Sequence, residues 1–187
     1  MKLANTNNIE KIFRTTLALQ SQVPMDFVRN SLSLYGAMLD QNSEFDVFTS
    51  ITPNQTLILF ELINRQGDGD MSETNVDGSV SVYCSFTVHV IIYGDDARNR
   101  ANYLVGRLRT ARVREDLLAN GIYLEKVSLP EGINEYKNGT MWIRNDFDID
   151  ISCELNFAQV SSDYIVNGYS DIIVQTIEEA EDLEESV

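Results

Sequence analysis

The sequence predicts an α+β fold, a central and mainly antiparallel sheet of long strands flanked by helices. Two segments, 79–94 and 141–157, alternate apolar and polar residues almost without error, the period of a strand with one face on a core. A third, TLILFELI at 56–63, is a nearly continuous apolar run, as in a strand covered on both faces. Between and before them lie segments whose apolar residues recur at spacings of three and four, the helical period. With 187 residues, 43% of them aliphatic, aromatic or cysteine, the chain can build one domain with a substantial core.

In chain order, NNIEKIFRTTLALQ places Ile9, Ile12, Phe13, Thr16, Leu17 and Gln20 on one side of an amphipathic helix. Pro24 opens a second predicted helix, PMDFVRNSLSLYGAML, because proline is tolerated in a first turn whose amides have no helical partners. The apolar run 56–63 follows as a strand. The polar, glycine-rich stretch 65–79 is too long for a tight hairpin and reads as an extended arm or loop. SVSVYCSFTVHVIIYG then forms a long strand, with Val80, Val82, Cys84, Phe86, Val88, Val90 and Ile92 on one face. Asp95 or Asp96 caps a helix carrying Ala97, Ala101, Leu104, Val105, Leu108 and Ala111 on its apolar side. A short helix, REDLLANG, stops at Gly121; IYLEKVSL is a strand ended by Pro130, and INEYKNGTMW leads into the last strand, from about Met141 to Phe157. The domain division this implies is a helical region at 1–44, an α+β core at 45–160 and a C-terminal extension with an acidic tail at 161–187.

The charge balance narrows the function. The net charge is -15, from 29 acids and 14 bases, so the chain has no general basic footprint for gripping nucleic acid or an anionic membrane. No run reaches the roughly 18 to 20 apolar residues of a membrane helix, and MKLANTNNIEK lacks a signal peptide's apolar middle, so a cytosolic origin is expected. Cys84 and Cys153 lie on strands among apolar neighbours and are expected to be buried reduced thiols.

Chemical readings are weak. His89, the only histidine, sits mid-strand with no nucleophile motif beside it, and RQGDGDM lacks a phosphate loop's ending. The loop acids Asp68, Asp70, Glu73 and Asp77 are oxygen ligands suited to calcium, but the loop lacks a calcium loop's central glycine and final glutamate. In NDFDIDISCELNF, residues 145–157, one row is apolar and the other carries Asp146, Asp148, Asp150 and Glu154. No lysine or arginine appears within that stretch. Neighbouring rungs of that row stand about 6.6 Å apart, wider than the roughly 3.5 to 4 Å of a two-metal centre. No enzyme, no metal and no cofactor is expected. What remains is an interaction protein whose arginine-rich helix, with Arg98, Arg100, Arg107, Arg109, Arg112 and Arg114, can meet the acidic strand of another copy head to tail.

VYCSFTVHVIIYGDDARNRANYLVGRLRTARVREDLLANGIYL, followed by MWIRNDFDIDISCELNF, resembles the neck or tail-terminator proteins of tailed bacteriophages. The likeness covers about residues 45–160: an alternating strand ending in YG, a helix, a short helical segment ending in glycine, and a final strand introduced by tryptophan and arginine. The resemblance implies a tail-terminator-like α+β architecture, no catalysis, and a hexameric ring in the virion, assembled in the host cytoplasm, that caps the tail tube and joins it to the head. Partners would be other copies, the tail tube protein and a head-side connector or neck protein, with double-stranded DNA passing and no membrane involved. Asp146, Asp148, Asp150 and Glu154 would then border the passage, and loop 65–79 would make an axial contact. Two alternatives stand beside this reading: another virion assembly protein, a head-completion or tail-tube subunit, and a calcium-dependent binding module using Asp68, Asp70 and Asp77.

Overall fold

A computed structural model describes residues 6–30, 51–64, 72–74, 79–137 and 139–157. They form three helices and one seven-stranded sheet. Helix α1 spans Thr6–Ser21. A single 3-10 turn, Met25–Phe27, leads into strand β1, Val28–Asn30. Strands β2 (Leu57–Asn64), β3 (Ser72–Thr74) and β4 (Val80–Tyr93) follow. Helices α2 (Ala97–Leu108) and α3 (Ala111–Ala119) precede β5 (Ile122–Val127), β6 (Glu131–Lys137) and β7 (Thr140–Phe157).

The sheet runs β1-β2-β4-β7-β5, with β3 continuing alongside β4 and β6 alongside β7. Its spine is the antiparallel ladder of β4 on β7, in register from Val80 opposite Phe157 to Tyr93 opposite Arg144. Only β1 on β2 is parallel. Strand alternation gives the sheet two unlike faces. One row from β1, β2, β4, β5 and β7, including Val28, Ile58, Phe60, Val88, Val90, Ile122, Phe147, Ile149 and Ile151, packs with Ile9, Phe13 and Leu17 of α1, Leu104 and Leu108 of α2, and Val113 and Leu117 of α3. All three helices therefore cover the same face. At one end of the opposite face, Ile51, Leu57, Leu59, Tyr93 and Trp142 form a smaller cluster.

Two expectations are corrected. The segment opening at Pro24 is not helical where it is described: after one 3-10 turn, Val28, Arg29 and Asn30 pair with Ile58, Leu59 and Phe60. The β-branched Val28 is buried in the core, and a neighbouring strand outweighs the helical spacing that local sequence suggests. The rest of that segment lies outside the described residues. INEYKNGTMW, read as a lead-in, contributes β6, which pairs with β7 from Lys137 opposite Thr140 to Glu131 opposite Asp146. The two residues between the strands are Asn138-Gly139, the pair that two-residue hairpins favour, and Gly139 has a φ of 77°.

The long strands project as their length demands. β7 has 18 residues and its register with β4 stops at Arg144, so residues 140–143 and their partners 134–137 of β6 extend past the end of β4 as a hairpin. Tyr136 and Met141 stand opposite one another on one side of this hairpin, with Ile143 two residues further along the same row, and all three are exposed.

The acidic sheet face as candidate functional site

The face left bare by the helices carries the row Arg144, Asp146, Asp148, Asp150, Ser152 and Glu154 on β7 and, opposite it on β4, Tyr93, Ile91, His89, Thr87, Ser85 and Tyr83. Alternation alone puts the β7 acids here. Their cross-strand partners come from β4 and β5, and these the sequence does not display. Thr87 Oγ1 donates to Asp150 Oδ1 at 2.8 Å. His89 Nδ1 lies 2.7 Å from Asp148 Oδ1, and its Nε2 is 3.8 Å from Asp146 Oδ2. Lys126 of β5 stands in register opposite Asp150.

The reading of this row as acids without a base is corrected by Arg144. It sits one alternation step before Asp146 and donates from Nε to Asp146 Oδ1 at 2.8 Å and from Nη1 to Glu135 Oε2 at 3.2 Å. Its guanidinium carbon lies 5.9 Å from the centre of the Tyr93 ring, and Tyr93 donates its hydroxyl to the same Glu135 oxygen at 2.8 Å. The hydrogen bond with Asp146 holds the Arg144 charge firmly in place. Asp146 is thus neutralised within its own strand, and Asp148, the exposed member of the row, faces outward beside His89.

Burial, and then the hydrogen bond to Glu135, push the Tyr93 hydroxyl well above its ordinary pKa. Burial pushes the Cys153 thiol up to about 12. A raised pKa means that the unfolded chain loses its proton first. The stability from each group is complete below its unfolded pKa and drains as pH rises toward the folded one. Cys153 should begin to cost stability above about pH 9 and Tyr93 above about pH 10, at no more than roughly 1.4 kcal/mol per pH unit each. Denaturant midpoints measured at pH 8, 10 and 11 should fall, and Tyr93→Phe should flatten the upper part of that fall. An unchanged slope in this variant would place the alkaline weakness elsewhere.

A cleft of about 550 Å³ opens where the edge strand breaks between β5 and β6, lined among others by His89, Arg109, Lys126, Leu129, Glu131 and Asp148. Across the break, Ser128 N donates to the Asp148 carbonyl and Asp148 N donates to Ser128 Oγ, each at 2.8 Å, so this stretch stays tied to β7.

Three of the six arginines predicted to meet another copy are used within the chain. Arg100 donates to the Ser21 carbonyl, Arg107 to Gln20 Oε1 and Arg109 to the Val127 carbonyl, joining α2 to α1 and to β5. Arg98, Arg112 and Arg114 are exposed. Asp96 occupies the cap of α2, but its carboxylate accepts from the Asn99 side chain rather than from a backbone amide. Of the loop acids, Glu73 falls in β3 opposite Ser81, while Asp68, Asp70 and Asp77 lie outside the described residues. Among the described residues no group of three or more acidic, histidine or cysteine side chains is placed to hold a metal, and no helix is long and apolar enough to cross a membrane.

No curated protein matches the chain. Residues 42–181 match the family of phage neck terminator proteins. That span contains the sheet from β2 onward together with α2 and α3, and it runs past residue 160, where the resemblance seen in the sequence stops. Helix α1 and β1 lie ahead of it. The family is one of structural proteins of the head-tail junction rather than of enzymes, and with well over half of its residues matched, the chain belongs to the phage neck terminator protein family.

Proposed function

We propose that the chain closes the tail tube as a ring, with six copies the expected number, joins it to the head-side connector, and lets double-stranded DNA pass. The observation that carries this reading is that exposed arginines and a row of acids are presented on opposite faces of one sheet. The helices and the exposed Arg98, Arg112 and Arg114 lie on one side, and Asp148, Asp150 and Glu154 lie on the other. Opposite faces of one rigid sheet cannot meet within a chain. A contact that matches their charges joins unlike surfaces of two copies, and such head-to-tail contacts form a ring when their rotation closes.

The bare face is proposed to border the passage. Bases there would hold phosphates and slow DNA, whereas like charge keeps DNA from sticking. Because Arg144 already neutralises Asp146, the repulsion falls to Asp148, Asp150 and Glu154. The exposed Tyr136, Met141 and Ile143 on the projecting hairpin support burial of that end against a tube or head-side neighbour. Loop 65–79, with Asp68, Asp70, Glu73 and Asp77, is proposed as a second axial contact.

The test combines Asp148→Asn, Asp150→Asn and Glu154→Gln while leaving Asp146 with its arginine. Native mass spectrometry should give the same closed oligomer for both proteins, and virions carrying the variant should eject DNA several-fold more slowly. Unchanged ejection from intact rings would remove these acids from the passage. A parent protein that stays monomeric even with tail tubes present would remove the ring.

A further inference from the structure

The chain has only two cysteines, and the fold places them face to face. Cys84 of β4 is the register partner of Cys153 of β7, although 69 positions separate them in the chain. Partners across an antiparallel pair point to the same side, with Cα atoms about 4.5 or 5.5 Å apart according to the hydrogen-bonding site. Either spacing lies within the roughly 4.4 to 6.8 Å that disulfides span. Both side chains join the helix-covered core, Cys153 buried and Cys84 half-buried, and both are present as thiols. β5 begins at Ile122, opposite Cys153, and beyond that point no described strand covers this edge of β7. Cys153 thus lies where the cover of β5 ends, and the half-buried Cys84 beside it is within reach of a small reagent.

We propose that Cys84 and Cys153 are a modification site, closing into an intramolecular cross-strand disulfide when the protein leaves a reducing compartment and clamping its two longest strands together. A small-molecule disulfide is a sufficient oxidant. The Cys84 thiolate attacks one of its sulfurs, forming a mixed disulfide and releasing one small thiol. The Cys153 thiolate then attacks the Cys84 sulfur, forming the protein disulfide and releasing the second small thiol. Two electrons pass to the reagent, and the protons of both protein thiols end on the two small thiols. Cys84 is the entry point because it is more exposed and because the Cys153 thiol is held protonated by burial. Closing so long a loop constrains the unfolded chain, and the thermal midpoint should rise on the order of 10 °C.

The test treats the folded full-length chain with oxidised glutathione, blocks remaining thiols with an alkylating agent and measures the intact mass. The expected product is about 2 Da lighter than the reduced protein, takes no alkylating agent, melts higher and reverts with dithiothreitol. Cys153→Ser should retain one glutathione at Cys84, whereas Cys84→Ser should remain unmodified. Two alkylatable thiols in the treated parent protein would overturn the proposal, as would a stable glutathione adduct on it or a disulfide between chains.

Discussion

Gly94→Ala should destabilise the domain by about 2–5 kcal/mol, the sum of a strained backbone and an overpacked contact. Gly94 has a φ of +129°, which side-chain-bearing residues rarely adopt, and a Cβ there would stand 2.5 Å from the backbone oxygen of Gln55. The neighbourhood has little room to yield. Gly94 N donates to the Ile143 carbonyl, Asp95 N donates to the Pro53 carbonyl, and the Gly94 carbonyl accepts from Ala97 N at the start of α2. Gly94 and Asp95 thus join the end of β4 to the 53–55 turn, to β7 and to the following helix. Gly106→Ala is the matched control: it lies within α2, a Cβ there meets nothing within 4 Å, and the change should stabilise by about 0.5–1 kcal/mol. The single tryptophan, Trp142, reports both transitions by fluorescence in denaturant. Equal midpoints for the two variants would show that the turn at 94 carries no strain.

Trp142→Ala should cost about 3–5 kcal/mol, as expected for truncating a large buried aromatic. Trp142 is 2% exposed and packs edge-on against Tyr93, with ring centres 6.4 Å apart and planes at 88°. With Ile51, Leu57 and Leu59 these rings make up the small cluster on the face opposite the helices. The loss should be largest at the hairpin end of the sheet, because the main core lies on the other side of the strands. Circular dichroism in denaturant gives the total, and amide exchange in β6 and the start of β7 should quicken before exchange in the middle of β4. Uniform quickening throughout the sheet would mean that the cluster is not a local support.

Much of this fold is legible in the chain because its longest strands obey a strict rule. β4 along its length and β7 from Phe147 to Leu155 keep one apolar row on the helix-covered side, so both faces can be assigned from alternation alone. β1 is illegible for the opposite reason: three residues carry no period, and only pairing with β2 makes them a strand. β6 was announced by Asn138-Gly139, a hairpin signal hidden inside a polar stretch. At the site, the acidic row could be read but its partners could not. Arg144 lies on the same row, one step before the quoted stretch, whereas Thr87 and His89 reach it through a register set by tertiary structure.

The order of the strands also fixes when the sheet can form. β6 and β7 close on each other across two residues, an event of roughly 1–10 μs for a hairpin. The nearest pair between β4 and β7, Tyr93 with Arg144, is 51 positions apart, and the furthest, Val80 with Phe157, is 77. Joining such distant segments requires loop-closure entropy to be lost before the contacts repay it. The hairpin is therefore the early structure and the landing place for a waiting β4. During synthesis the spine of the sheet stays incomplete until Phe157 has left the ribosome, and until then the apolar row of β4 lacks the long neighbour that flanks it in the finished sheet.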